Sequence, residues 1–145
     1  QSSIPWVKPR RETPRREMVA ALCLHDRALL IVRRAPQGLL GGLWELPGGE
    51  IAQGEDHFQA LERYLAQGLG LAVTIGPQIG VIKHAYTHFH VTVYVYQCGV
   101  AGEPSAAPPW DSIDWLLPGE RERGLTGVAT KILTRLPWPQ ADLLI

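Results

Sequence analysis

The sequence predicts a single mixed α/β domain in which two amphipathic helices pack on a β-sheet. A chain of 145 residues with 46% hydrophobic composition can bury one sizeable core and is short for two domains. Segments with strand character occur in pairs joined by turn residues, and two segments with helical spacing alternate with these pairs. This alternation is typical of an α/β/α sandwich with a mixed sheet.

A hairpin and a packed loop are predicted in the first third of the chain. Residues 18–24 (MVAALCL) and 28–34 (ALLIVRR) are apolar runs separated by three turn residues, so they predict a buried β-hairpin. Residues 36–49 are rich in glycine and proline, and Trp44 within them indicates a loop that packs against the core.

Two amphipathic helices are predicted further along the chain. The first covers residues 55–67 and ends where Gly68 and Gly70 follow, and the second covers residues 125–136. Each is expected to pack its apolar side on the sheet. The apolar positions are Phe58, Leu61 and Leu65 in the first helix and Leu125, Val128, Ala129, Ile132, Leu133 and Leu136 in the second.

A second hairpin is predicted around Thr87 and His88. It joins residues 79–86 to residues 89–96, where valines alternate with polar or aromatic residues as in a strand with two different faces. The two residues between the strands indicate a tight tip. Residues 101–109 predict a loop and residues 112–117 a short strand.

Charge is unevenly distributed although the formal net charge is zero. Residues 1–17 hold five basic and two acidic residues together with three prolines, so they predict an extended basic arm, and residues 18–145 form the domain. The arm either contacts phosphates or serves as a solvated tether.

Two cysteines, Cys23 and Cys98, lie far apart on predicted strands without the spacing of a metal site. Buried thiols in a reducing compartment are favoured over a disulfide. The sequence has no apolar run long enough to span a membrane and no signal-peptide pattern, so a cytoplasmic monomer is expected.

The segment GGEIAQGEDHFQALERYLAQGLGL resembles the signature of the Nudix family of metal-dependent pyrophosphohydrolases. That signature is a glycine, five residues, a glutamate, seven residues, and then Arg-Glu-apolar-x-Glu-Glu-x-Gly-apolar. Six positions match it: Gly49, Glu55, Arg63, Leu65, Gly70 and Leu71. The three glutamates that follow the arginine are replaced by Tyr64, Gln67 and Gly68.

The missing carboxylates matter because magnesium prefers hard oxygen ligands, and several carboxylates on one helical face must hold it beside a diphosphate. One interpretation is a reduced magnesium site of Glu50, Glu55 and Glu62, which would make the chain a stand-alone Nudix hydrolase of oxidised nucleoside triphosphates. The other is that Glu55 and Arg63 form an ion pair that fastens the loop to the helix.

A second resemblance covers almost the whole chain. The stretches VKPRRETPRREM, RRAPQGLLGGLWELPGGE and KHAYTHFHVTVYVY resemble the C-terminal domain of MutY-type A/G-specific adenine DNA glycosylases. That domain has a Nudix-like fold, has generally lost hydrolase function, and recognises 8-oxoguanine paired with adenine. The resemblance therefore implies a role in base excision repair for a chain that is not itself catalytic.

The family's short aromatic-Ser-His loop, which inserts at the oxidised guanine, corresponds to Tyr86, Thr87 and His88. In 8-oxoguanine, N7 becomes a donor and O8 a new acceptor, which reverses what guanine presents there. A hydroxyl such as that of Thr87 can accept from one and donate to the other. His88 supplies a donor, and Tyr86 supplies a ring that holds the loop or stacks.

Other interpretations of these residues remain open. Tyr86 is also compatible with a core position at a strand end, because aromatic residues favour strands. The spacing of His84, His88 and His90 also suggests a zinc site, although no thiolate or carboxylate lies near them in the sequence. A nucleotide-sensing or protein-interaction domain is a third possible function.

The resemblance also implies partners. Base excision in the family belongs to an N-terminal helical domain with an iron–sulfur cluster on four cysteines, whereas this chain has two, so excision is expected from a separate part of the parent polypeptide. Double-stranded DNA with an 8-oxoguanine:adenine mismatch, in the nucleoid, is the expected partner. Cations available for its backbone are Arg10, Arg11, Arg15, Arg16, Lys83 and His84.

Overall fold

The computed structural model describes residues 14–120 and 123–136 of the chain. Within these residues, seven strands and two α-helices form a mixed sheet with one helix on each face. The strands are β1 (Arg15–His25), β2 (Ala28–Arg34), β3 (Trp44–Glu45), β4 (Gly48–Glu50), β5 (Ala72–Ala85), β6 (His90–Ala101) and β7 (Trp110–Leu116). The helices are α1 (His57–Glu62), which continues as a π-helical segment (Arg63–Gln67), and α2 (Gly127–Arg135).

The strand order is β3-β2-β1-β6-β5, with β4 also paired to β1 and β7 to β2. β1 and β6 run parallel, from the pair Arg15 and His90 to the pair Cys23 and Cys98, and the other pairings are antiparallel. The predicted α/β/α sandwich with a mixed sheet is confirmed. No helix among the described residues has the length and apolar composition needed to cross a membrane.

The alternation of side chains along β1 and β6 gives the sheet two apolar faces. On one face, Val91, Val93 and Val95 pack in a core that includes Ile132 and Leu133 of α2. On the other, residues of β1 and β6 pack against Leu61 of α1, Leu65 of the π-helical segment, and Leu69. Each helix therefore covers one side of the same central pair of strands.

Two strands begin earlier than the sequence pattern predicts. β1 begins at Arg15, inside the segment predicted as an arm, because residues Arg15 to Glu17 pair with β6 next to the second hairpin. β5 begins at Ala72 rather than at residue 79, because β6 continues to Ala101 and pairs along its whole length, with two register shifts around Gln78. Residues 1–13 lie outside the described residues.

The helix boundaries follow from their caps. The Asp56 side chain accepts a hydrogen bond from Gln59 N at 2.8 Å, and the Gln59 side chain accepts one from Asp56 N, so α1 begins at His57 rather than at residue 55. Thr126 caps α2 in the same way, through Ala129 N at 3.1 Å. The predicted second helix is confirmed within two residues at each end.

The two cysteines lie side by side in the core. Cys23 and Cys98 are paired in the parallel register of β1 and β6, both are buried, and both are free thiols. A hydrogen bond between the two thiols and burial raise the pKa of Cys23, while the same hydrogen bond lowers that of Cys98. The prediction of buried thiols is confirmed.

Candidate functional site

The loop that carries the Nudix-like signature is held by an ion pair. Arg63 donates from Nε and Nη2 to the two carboxylate oxygens of Glu55, both at 2.8 Å, and Nη2 also reaches the Glu50 carbonyl at 3.1 Å. The hydrogen bonds from Arg63 to the Glu55 carboxylate, with one from Ala52 N, lower the pKa of Glu55 to about 2. The interpretation that Glu55 and Arg63 fasten the loop to the helix is confirmed.

Tyr64 occupies the position of the first missing glutamate and contacts the signature loop. Its hydroxyl donates to the Glu50 carbonyl at 2.8 Å, and burial raises its pKa. Gly49 packs directly against the Tyr64 ring, where even a methyl group would overlap the phenol. Tyr64 therefore fills space beside the loop and offers no carboxylate oxygen to a metal.

The carboxylates of the reduced magnesium site have other partners or are exposed. Glu55 is committed to Arg63, the Glu50 carboxylate lies 3.1 Å from Arg16, and Glu62 is exposed. Among residues 14–120 and 123–136, no group of three or more His, Cys, Asp or Glu side chains is arranged to hold a metal ion. Glu50, Glu55 and Glu62 are therefore not grouped as one set of metal ligands in this part of the chain.

A cavity of about 270 Å³ lies between β1, β4, the base of the second hairpin and α2. Most of its wall is apolar, with Met18, Leu46, Phe89 and Ile132 among the lining residues. Charged side chains in the lining belong to Arg16, Arg34, Glu45 and Glu50, and the hydroxyl-bearing residues are Tyr64, Tyr86 and Thr126. A mostly apolar wall with a few charged groups is typical of small-molecule sites.

One buried polar cluster in this wall was not predicted from the sequence. Glu45 Oε2 accepts hydrogen bonds from Arg34 Nη1 and Trp110 Nε1, both at 2.8 Å, and burial raises the pKa of Glu45. Arg34 Nε also donates to Leu39 O at 2.9 Å, which fixes the glycine-rich loop. Two features of the sequence could have indicated this cluster. They are an arginine at the end of an apolar strand and a glutamate beside Trp44.

The tip of the second hairpin is closed by a backbone hydrogen bond from Tyr86 N to Phe89 O at 2.8 Å. The Tyr86 ring is half-buried and packs against His84 and Phe89, with ring centroids 4.4 and 5.0 Å away. Its hydroxyl accepts from Val128 N at 3.1 Å. Tyr86 therefore anchors the tip to the start of α2, where the tyrosine is partly inside the core.

The two remaining residues of the tip point outward. Thr87 and His88 are exposed, and neither side chain forms a hydrogen bond with the described part of the chain. Their backbone is held by the anchored Tyr86 on one side and by buried Phe89 on the other. A rigid turn thus presents one hydroxyl and one imidazole to solvent.

The basic residues predicted to contact the DNA backbone lie on opposite faces of the sheet. Arg15 and Lys83 lie on the α1 side of β1 and β5, whereas Arg16 and His84 lie on the α2 side. Arg16 stacks over Phe89, with its guanidinium carbon 4.3 Å from the ring centroid. Arg10 and Arg11 fall outside the described residues.

The three histidines suggested as zinc ligands are also separated from one another. His84 packs beneath Gly127 on the α2 side, and burial together with Lys131 and Arg135 lowers its pKa. His90 is two strand positions beyond the tip and faces the α1 side, because it pairs with Ala85. His84 and His90 therefore cannot ligate one ion with His88.

The fold and the signature segment identify a class of protein. The family model of the NUDIX domain matches residues 18–135, and this chain belongs to that family. A crystal structure of a MutT NUDIX hydrolase from Burkholderia pseudomallei has the same fold, with a TM-score of 0.75 and 24% sequence identity over 82% of this chain and 95% of that one.

Two kinds of relative are similar to the chain. The adenine DNA glycosylase of Mus musculus is 32% identical over an alignment of 127 residues, and the match covers 74% of this chain and 25% of the glycosylase. A putative 8-oxo-dGTP diphosphatase 2 of Mycobacterium tuberculosis is 39% identical over an alignment of 66 residues, and the match covers 43% of this chain and 47% of that protein. The chain thus spans about a quarter of the glycosylase and about half of the diphosphatase.

Proposed function

We propose that this Nudix domain recognises 8-oxoguanine opposite adenine in double-stranded DNA and acts on nucleoid DNA. The observation that carries the proposal is the hairpin tip, where Thr87 and His88 are exposed on a turn that Tyr86 fixes to α2. A reader of one oxidised base needs a projecting group that exchanges donor and acceptor roles, and a hydroxyl does so.

The chemistry assigns separate roles to the tip residues. Thr87 accepts a hydrogen bond from N7–H or donates one to O8, and His88 donates to the base or to a neighbouring phosphate. Tyr86 holds the turn rather than stacking on the base, because its hydroxyl and ring are engaged with α2 and Phe89. The polar contacts are therefore made by the two outward-pointing residues.

Two further observations support recognition over hydrolysis. Glu55 is neutralised by Arg63, and tyrosine, glutamine and glycine stand where the family's helix carries glutamates. The similarity to the mouse glycosylase covers 74% of this chain, while that to the diphosphatase covers 43%. Base excision, with its iron–sulfur cluster, belongs in this proposal to a separate N-terminal domain of the same polypeptide.

Thr87→Ala is expected to reduce discrimination between 8-oxoguanine:adenine and guanine:adenine duplexes by about 1 kcal/mol, roughly fivefold, because one hydrogen bond to the base is lost. Dissociation constants for both duplexes, measured by fluorescence anisotropy at low salt, give the ratio directly. Low salt is needed because an isolated chain of zero net charge is expected to bind DNA weakly.

The matched control is Thr74→Ala, an exposed threonine on β5 far from the tip. It removes the same atoms from another exposed position and should leave the ratio unchanged. An unchanged ratio for Thr87→Ala, or equal binding of both duplexes by the wild-type protein, would contradict the proposal.

The cavity favours hydrolysis of an oxidised nucleoside triphosphate as a second candidate function. Its volume of about 270 Å³ and its Glu45–Arg34 cluster provide a site for a base beside the signature loop. That candidate requires Glu50, Glu55 and Glu62 to hold magnesium despite the ion pair of Glu55.

Glu55→Gln separates the two candidates. We expect the wild-type protein to release no pyrophosphate from 8-oxo-dGTP with magnesium, and the variant to be less stable at neutral pH because the ion pair is lost. The pKa of Glu55 is lowered to about 2 in the folded protein, so its stabilising effect is present above its ordinary pKa and is lost as the pH falls towards 2.

The measurement is thermal unfolding of both proteins from neutral pH to pH 2, beside a pyrophosphate assay. The difference in melting temperature should shrink as the pH falls below about 4.5, where carboxylates in the unfolded chain take up protons. Magnesium-dependent pyrophosphate release that disappears in Glu55→Gln would instead establish the hydrolase.

A further inference from the structure

Part of the sheet next to the hairpin tip is not covered by α1. The open sheet face consists of residues on the α1 side of β1, β6 and β5, and no element among the described residues packs over it. Its members are Arg15, Glu17, Lys83, Ala85, His90 and Thr92. Arg15, Glu17, Lys83 and Ala85 are exposed, and His90 and Thr92 are half-exposed.

The strand register fixes the arrangement of this face. Arg15, His90 and Ala85 form the row beside the tip, and Glu17, Thr92 and Lys83 form the next row. Neighbouring strands are about 4.8 Å apart, and alternate residues along a strand are about 6.6 Å apart. Arg15 and Lys83 are separated by two strand spacings and one row, so they lie roughly 12 Å apart. At that separation the two cations reach different phosphates rather than sharing one.

The far margin of the face is closed by aromatic side chains. The Tyr94 ring stacks on His57 at a centroid distance of 4.4 Å, and the Tyr94 hydroxyl donates to Glu17 at 3.2 Å. Glu17 is the one acidic group among the six residues, and this hydrogen bond engages its carboxylate. Arg15 and Lys83 form no ion pair with the described residues.

The opposite side of the same strands differs. There Arg16 lies between Glu50 and the Phe89 ring, and His84 is packed beneath the first turn of α2. A duplex that meets the tip therefore finds Arg16 and His84 on the α2 side engaged by other protein groups, whereas no described residue covers Arg15 and Lys83 on the α1 side.

We propose that the open sheet face binds the sugar–phosphate backbone of the DNA strand adjoining the tip. Arg15 and Lys83 contact separate phosphates, and Thr92 and His90 donate hydrogen bonds between them. The inference rests on the proposed recognition of damaged DNA and adds its docking surface. It also excludes Arg16 and His84, which neighbour these residues in sequence, from backbone contact.

The test is the salt dependence of duplex binding by Lys83→Gln, Arg15→Gln and the double variant. Each lost phosphate contact should reduce the slope of log K against log salt by about 0.9 and weaken binding to damaged and undamaged duplexes alike. Arg27→Gln is the matched control, because Arg27 is an exposed arginine in the turn at the far end of β1. Circular dichroism establishes that all variants are folded.

The outcomes distinguish this inference from the function on which it rests. Reduced slopes for Lys83→Gln and Arg15→Gln, with an unchanged slope for Arg27→Gln, support the docking surface. Slopes equal to the wild-type value overturn it, even if the wild-type protein still prefers 8-oxoguanine. If the slopes fall but the wild-type protein binds both duplexes equally, the docking surface stands and recognition of the oxidised base by the tip fails.

Discussion

Replacing Gly48 by alanine is expected to destabilise the domain by about 4 kcal/mol or more, enough to unfold a protein of ordinary stability. Gly48 has a φ of 151°, and a Cβ atom there would lie 2.1 Å from the Val19 carbonyl oxygen. The carbonyl oxygen is a backbone atom of β1 and the position of the Cβ atom is fixed by the backbone of β4, so neither can move without breaking the ladder between β1 and β4. The close approach also sets the position of Gly49 and Glu50 in the signature loop.

Gly54→Ala provides the comparison for this prediction. Gly54 also has a positive φ, 81°, but nothing lies within 4 Å of its added Cβ. Its substitution should therefore cost only the backbone strain, about 1 kcal/mol. Urea unfolding of both variants measures the difference, and similar midpoints would mean that the contact between Gly48 and Val19 does not constrain the fold.

Tyr86→Ala is the second change with a large expected effect. The ring packs against Phe89 and His84, and the hydroxyl accepts a hydrogen bond from Val128 N, so its removal should destabilise the domain by about 3 kcal/mol. Discrimination of 8-oxoguanine should fall as well, because Thr87 and His88 are no longer held in place. Tyr86→Phe keeps the packing and should cost only about 1 kcal/mol.

Phe58→Ala is the aromatic control for the loss of stability. Phe58 on α1 is 55% exposed, so its truncation should change the free energy of unfolding much less than that of Tyr86. Unfolding curves and duplex binding are measured on the same samples. A Tyr86→Ala variant of wild-type stability that has lost only DNA discrimination would show that the ring stacks on the base rather than anchoring the tip.

The helices and the second hairpin could be predicted because local patterns determine them. Helical spacing predicts both helices, and the alternation in residues 89–96, directly after Thr87 and His88, predicts the position of the tip. The start of β5 was missed because Gly76 and Pro77 interrupt the alternation, and one of the two register shifts in β5, between Ile75 and Gln78, spans these two residues. The parallel pairing of β1 with β6 joins distant segments and leaves no local signal.

For the candidate site, motif spacing located the loop and the tip but not the side of the sheet that each residue faces. Arg15 and Arg16 were predicted as equivalent cations, as were Lys83 and His84, although neighbours in a strand point in opposite directions. That separation could have been derived once the strands were assigned. The cluster of Glu45, Arg34 and Trp110 could not, since it depends on how three separate segments meet.

The central position of β1 has a consequence for how the domain is made. This strand is the first of the described chain to be synthesised, yet one of its neighbours, β6, begins 75 positions later, where Arg15 meets His90. Until that segment leaves the ribosome, the apolar run MVAALCL lacks its longest partner. Contacts so far apart in sequence favour slow folding, and the unpaired strand is a site for association with other nascent chains.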